Sequence, residues 1–238
     1  MFRANKRSLN GEYRRDFFKF LIVIILFLSI PEGLIAYPEH QSPIGLEEIY
    51  YKKRLKNESE GITFERTKNT FIKIFLGIYN IQDNRFKKIY EGQGYISGFG
   101  LSKKVYNYNH HNLFLSLDFR FFSKKGKSTY TREDTKLILK PISLGGVYMF
   151  VTKGIIPFAE IGSDYYSYKE KSLLHSTSGT AWGFHLKGGI LIPSKILRSL
   201  KLKLFIGYSK AKTINNNLEV NLGGTEYGVG IVYGFDLF

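Results

Sequence analysis

The stretch LFLSLDFRFF, residues 113–122, decides the fold. Leu113, Leu115, Leu117, Phe119 and Phe121 fall at every second position, with Ser116, Asp118 and Arg120 between them. A period of two puts the first set on one face of an extended strand and the second on the other. Outward from this stretch the theme recurs in 70–80, 93–104, 135–150, 155–167, 182–192, 200–211 and 222–235. In the first, Ile72, Ile74, Leu76 and Ile78 oppose Lys73; in 200–211, Leu200, Leu202, Leu204, Ile206 and Tyr208 oppose Lys201, Lys203 and Ser209. Eight strands are expected. Pro141, inside the fourth, removes a ladder donor and requires a bulge or a locally open pairing.

The connections fix how the strands are joined. They run long (81–92), short (105–112), long (123–134), short (151–154), long (168–181), short (193–199) and long (212–221). Strict alternation of long and short is what an up-and-down barrel produces, with loops at one end and tight turns at the other. An even strand number returns both ends of the barrel to the turn side.

Two barrels remain: a soluble one with its apolar face inside, and a membrane-spanning one with that face outside. The polar faces carry Lys73, Asp118, Arg120, Lys140, Glu160, Asp164, His185, Lys187, Lys201, Lys203 and Glu226. Charges of both signs suit a lumen in which they pair. The opposite faces are nearly free of charge, which suits lipid. Tyr79, Tyr95, Phe121, Tyr165, Tyr208 and Tyr233, near strand ends, are expected to form interfacial girdles. The expected fold is therefore an all-β, eight-stranded antiparallel transmembrane barrel over residues 69–238.

The N-terminus agrees. Arg3, Lys6, Arg7, Arg14, Arg15 and Lys19 precede the apolar run FLIVIILFLSI, Phe20–Ile30, which Pro31 and Gly33 break before Ala36. Basic region, short apolar core and small residue make a signal peptide, 1–36, for the Sec pathway. The run is shorter than the roughly 20 residues a membrane helix needs. Arg14-Arg15 resembles a twin-arginine signal, but that route carries folded cargo and a barrel travels unfolded. Residues 37–68 read as a periplasmic lead-in with a short helix around Ile44–Leu55. The chain carries +15; removing the signal takes away six basic and three acidic residues and leaves about +12. An exported chain does not meet the genome, so anionic outer-membrane lipids and lipopolysaccharide, not nucleic acid, are the expected counterpart. Lys87, Lys88, Lys124, Lys125 and Lys127 in the first two long loops are the expected lipopolysaccharide contacts. The absence of cysteine removes disulfides and thiolate chemistry.

The closing stretch NLGGTEYGVGIVYGFDLF, 221–238, adds a resemblance. Its Leu-Gly-Gly, alternating glycine and apolar residues and final Tyr-x-Phe resemble the last strand of the small outer membrane protein beta-barrel domain family, which includes OmpA- and OmpX-like barrels. LILKPISLGGVY (137–148), PFAEIG (157–162) and GFHLKGGI (183–190) fit the same family. The resemblance spans roughly 70–235. It implies an outer-membrane location and passage through periplasmic chaperones and the barrel-assembly machinery. It also implies a terminal aromatic read as an assembly signal. Here Asp236-Leu237-Phe238 follow the motif. Counting back from Phe235 by twos gives Tyr233, Ile231, Val229 and Tyr227, whereas counting from Phe238 gives Asp236, Gly234 and Val232. Only the first register makes an apolar stripe, so Phe235 is the expected terminal aromatic.

Catalysis has weak candidates in His185, Asp164 and Ser178, with Ser176 and His175 close by in sequence. Barrel deacylases of lipid A carry His and Ser two apart on one strand, and His185-Leu186-Lys187 lacks the serine. Adjacent His110 and His111 point to opposite sides of an extended chain. The glycine pairs at 92–94 and 98–100 have no nucleotide-binding context. The expectation is a monomeric surface-interaction protein without enzyme activity, cofactor or metal. A lipid A-modifying enzyme and a small-solute conduit are the alternatives. Eight strands leave room for little more than side chains.

Overall fold

The computed structural model describes residues 68–236 apart from 109, 129–131, 153, 173–175, 198 and 216–217. The expected signal peptide, the lead-in to 67 with its helix, His175, Leu237 and Phe238 lie outside the described residues. The elements are β1 (Thr70–Ile81), α1 (Asn84–Tyr90), β2 (Gln93–Tyr108), β3 (His111–Lys127), β4 (Asp134–Phe150), β5 (Ile156–Lys171), β6 (Ser176–Pro193), β7 (Leu200–Asn215), β8 (Leu218–Asn221) and β9 (Gly224–Phe235). From β1 to β8 each strand pairs antiparallel with the next, and β9 pairs with both β7 and β1. The ring closes over eight strands. Short β8 pairs only with β7 and extends that hairpin beyond the ring.

All but the last strand are longer than the alternation indicated, reaching 18 residues in β6, while β9 begins two residues late at Gly224. About ten residues cross a bilayer, so each hairpin stands beyond the lipid on the loop side. Hence several expected long loops are mostly ladder: β3 and β4 stay paired out to Lys127 and Asp134. The first long connection instead holds α1, whose N-cap is Asp83, accepting from the Arg85 amide at 2.8 Å. Opposite Pro141 the β3–β4 ladder opens. Phe119 pairs with Ile142 and Phe122 with Leu139, with no pair between them.

Alternation sorts the side chains as a membrane barrel requires. Ile74, Leu76, Tyr95, Ile161, Trp182, Phe184, Leu186, Ile206, Val229 and Ile231 are exposed on the outer face. In water such a belt has no protein to cover it; in a bilayer it needs none. Leu117 has the outward parity yet is only 3% exposed, flanked by its cross-strand partners Leu101 and Leu144.

Two expectations are corrected. Lys140 lies on the outer face, because β4 buries Leu137, Leu139, Pro141 and Ser143 and turns the residues between outward. Tyr79 is no girdle residue: it shares parity with Phe71, Lys73 and Phe75 and is fully buried. The remaining expected girdle residues face outward, with Tyr95, Phe121, Tyr208 and Tyr233 well exposed and Tyr165 half-buried.

The interior is layered. At the loop end, Tyr79, Phe122, Leu137, Leu139, Tyr166 and Leu222 form one apolar cluster, into which α1 inserts Phe86 and Tyr90. At the turn end, Phe71, Phe75, Phe114, Met149, Phe158 and Phe205 form another. Gly126 lets α1 press onto β3, since a Cβ there would come within 2.2 Å of the Ile89 carbonyl oxygen. The charged side chains fill the space between the clusters.

Candidate functional site

The central layer follows from strand parity. Lys73 comes from β1, Asp118 and Arg120 from β3, Glu160 and Asp164 from β5, His185 and Lys187 from β6, Lys201 and Lys203 from β7, and Glu226 from β9. All are buried. Residues two or four apart on one strand share a face, so each acid and base meets partners across the lumen rather than along its own strand.

Arg120 is the hub. One guanidinium nitrogen lies 2.8 Å from Asp164 Oδ1 and donates to Ser143 Oγ at 2.8 Å. The other donates to Glu226 Oε2 at 3.0 Å. A planar fork holding two carboxylates at once is the geometry a guanidinium favours. Lys73 Nζ lies 2.7 Å from Asp118 Oδ1, 2.7 Å from Ser116 Oγ and 4.0 Å from Glu160. Lys187 lies 3.7 Å from Glu226 and 4.0 Å from Asp118, and Lys203 lies 3.9 Å from Glu160. Lys203 also stands over the Phe158 ring at 4.7 Å, and Lys201 over Phe71 at 5.3 Å, where cations gain from the ring faces. Four carboxylates thus face five fixed cations and one histidine.

Gly100 makes room for this layer: a Cβ there would lie 2.0 Å from Asp118 Oδ1. A void lined by Phe71, Lys73, Met149, Glu160 and Lys203 measures about 10 Å³, the limit for one water. The lumen is a packed ionic core with apolar plugs at both ends.

His185 and Asp164 are brought together, with Nδ1 2.8 Å from Oδ1, while Nε2 lies 3.4 Å from Glu160. Ser178 is not with them. It lies seven residues along β6, about 23 Å of extended chain, on the opposite, exposed face. The hydroxyl nearest the pair is Ser143, which donates to Asp164 Oδ1 at 2.5 Å and is itself bound by Arg120.

Ser143 and Tyr166, not singled out in sequence, join the layer together with Ser209 of the polar face and Tyr79, which was expected at the rim. Tyr166 OH donates to Ser209 Oγ at 2.9 Å and Tyr79 OH to the Leu222 carbonyl at 2.8 Å. Parity carries that signal, since Tyr166 is two residues from Asp164. The helix α1 was legible too: Asp83 precedes Phe86 and Tyr90 at helical spacing, with Gly92 just after.

At the loop end, Lys87 and Lys88 are exposed on the last turn of α1, and Lys125 and Lys127 are exposed on β3. Lys124 instead pairs with Glu91 at 3.5 Å. Tyr90 OH donates to Glu170 Oε1 at 2.5 Å; burial, and then this carboxylate, push the phenol above its ordinary range. At the turn end, Lys68 Nζ lies 2.9 Å from Asp236, whose other oxygen accepts from the Asn69 amide at 3.1 Å. Tyr227, Val229, Ile231 and Tyr233 are exposed in one stripe, and Phe235, half-buried, stacks on Tyr233 with centroids 6.2 Å apart.

Among solved structures, the chain is similar to the outer membrane protein OprG from Pseudomonas aeruginosa. The identity is 14%, the TM-score 0.53, and the match covers 72% of this chain and 98% of that one. The chain has the fold of a small outer-membrane barrel. Neisserial surface protein A is also similar, at 13% identity and TM-score 0.49, over 72% of this chain and 100% of that one. No protein-family model and no curated protein matches the chain.

Proposed function

We propose that this chain is an outer-membrane barrel with a structural and surface-contact role, acting neither as a conduit nor as an enzyme. One observation carries the reading: an apolar belt faces outward around an ionic core closed at both ends by aromatic clusters. The belt supports residence in lipid, and the packed core supports a rigid scaffold for what projects above it. Two observations favour a non-catalytic role. The His185–Asp164 pair is walled from acyl chains by the barrel, and Ser178 lies on the other face of the strand. The chain would be exported through the Sec pathway, inserted by the barrel-assembly machinery from the stripe ending at Phe235, and act as a monomer.

The test joins three measurements on cells expressing the full chain. Outer-membrane fractions should contain the protein as a species whose gel mobility changes on boiling. Lipid A from the same cells should be unchanged in mass. A mass shift lost in a His185→Ala variant would replace this reading with an enzyme. A soluble or inner-membrane protein would end it altogether.

A further inference from the structure

The outer surface of the β3–β4–β5 hairpins, above the lipid belt, carries an uncompensated row of lysines. Lys125 on β3 lies directly opposite Lys136 on β4, and Lys136 lies directly opposite Lys171 on β5. All three are exposed on the outward face. Lys169 on β5 and Lys140 on β4, both exposed, lie below them toward the membrane. Directly opposed residues hold their Cβ atoms about 5 Å apart, and like charges so placed repel. Alternation offers little relief: the outward Asp134, two residues from Lys136 on β4, lies directly opposite Lys127 rather than a lysine of the row. Glu170, between Lys169 and Lys171, has the opposite parity and is bound by Tyr90 OH. Among the described residues, none of these five lysines has a carboxylate within ion-pair distance. The lumen of the same protein pairs nearly every charge it holds, so this row is a local exception.

Height selects the partner. Apart from Ser163, the outward face is apolar or aromatic up to Phe121 on β3, Ile142 on β4 and Tyr165 on β5. The row stands four to six residues beyond these positions, about 10–15 Å above the belt for tilted strands. That is past the ester region of the leaflet and level with the sugars of a membrane glycolipid. Lys140 and Lys169 sit between, at headgroup height.

We propose that this face is a phosphate-binding surface for an outer-leaflet glycolipid, with Lys125, Lys136 and Lys171 holding phosphates on the sugar core and Lys140 and Lys169 those nearer the acyl chains. It rests on the outer-membrane reading above. Of the five lysines expected to contact lipopolysaccharide, Lys125 alone belongs to the row; Lys87 and Lys88 sit on the capping helix, Lys124 is already paired and Lys127 lies opposite Asp134. Bound phosphate between the cations would turn the repulsion into attraction and seat the glycolipid against one side of the barrel.

The experiment uses the full chain assembled in detergent micelles, with rough-type lipopolysaccharide as the probe. Three proteins are compared: wild type, a Lys125→Gln/Lys136→Gln/Lys171→Gln triple variant, and a charge-matched Arg85→Gln/Lys87→Gln/Lys88→Gln variant on α1. The row variant should bind about tenfold or more weakly at low salt, the difference shrinking at high salt, while the α1 variant stays within about twofold. Lipopolysaccharide stripped of its phosphates should bind wild type and row variant alike. Equal losses in both variants mean diffuse attraction and overturn the proposal, as does full competition by millimolar inorganic phosphate. If the row variant is assembled and heat-modifiable yet binds like wild type, the site fails and the outer-membrane reading stands. If wild type itself never assembles, that reading fails first.

Discussion

Arg120 carries more of this molecule than any other single residue. It is fully enclosed and satisfies Asp164, Glu226 and Ser143 together. Removing one partner of a buried ionic set leaves uncompensated charge, which costs about 3–5 kcal/mol. Arg120→Met should therefore lower the unfolding free energy in urea-titrated vesicles by that amount. Adding Asp164→Asn and Glu226→Gln should recover a large part of the loss; no recovery would mean that the packing of the guanidinium, not its charge, matters. On the other face the sign of polarity reverses. Leu76 is 63% exposed near the middle of its strand, and an arginine at mid-membrane costs about 2–4 kcal/mol. Leu76→Arg should lose that much in the same titration, and an unchanged midpoint would contradict the lipid-facing belt. Parity outweighs chemistry at the same scale. Polar Lys140 and aromatic Tyr79 fit a lumen and a rim by chemistry, whereas the parity of β4 and β1 puts them on the opposite faces.

Among the elements, β1 and β9 are the closing pair, and their ends are clasped by Lys68 and Asp236 beyond the ladder. The hydrogen bond from Lys68, with the Asn69 amide adding to it, holds the Asp236 carboxyl below the ordinary aspartate range. A depressed folded-state value means that the clasp contributes fully above the ordinary aspartate pKa and is lost as pH falls through the depressed one. A carboxyl NMR titration should give Asp236 a midpoint below an ordinary aspartate, and Lys68→Met should raise it; an unmoved midpoint would remove the clasp. Because the pair is exposed, its loss should leave assembly intact. The same register argument makes Tyr233→Asp abolish assembly, since it puts a charge into the outward stripe of the closing strand. These strands were legible because a half-buried strand must alternate. The loop ends were not, because above the lipid both faces of a hairpin meet polar surroundings and the alternation fades while the ladder continues.

At the scale of the whole molecule, three stacked layers decide what can pass through. A small ion entering from the loop end meets α1 and the aromatic cluster that Phe86 and Tyr90 complete. Below that, five cations and four carboxylates from β1, β3, β5, β6, β7 and β9 occupy the cross-section, with Ser143 of β4 hydrogen-bonded into them. Beneath them the turn-end aromatics close the lumen again. Each layer draws side chains from several strands, and α1 contributes only to the uppermost, so losing its contacts leaves the other two in place. Planar-bilayer recordings of the assembled protein should therefore show no steady single-channel conductance in molar salt. Replacing Phe86 and Tyr90 together by alanine should still give none, because the ionic layer and the lower cluster remain. Steady openings in that variant would make α1 the sole barrier and turn the scaffold into a capped channel. Openings in the wild type would show that the ionic core rearranges in the bilayer.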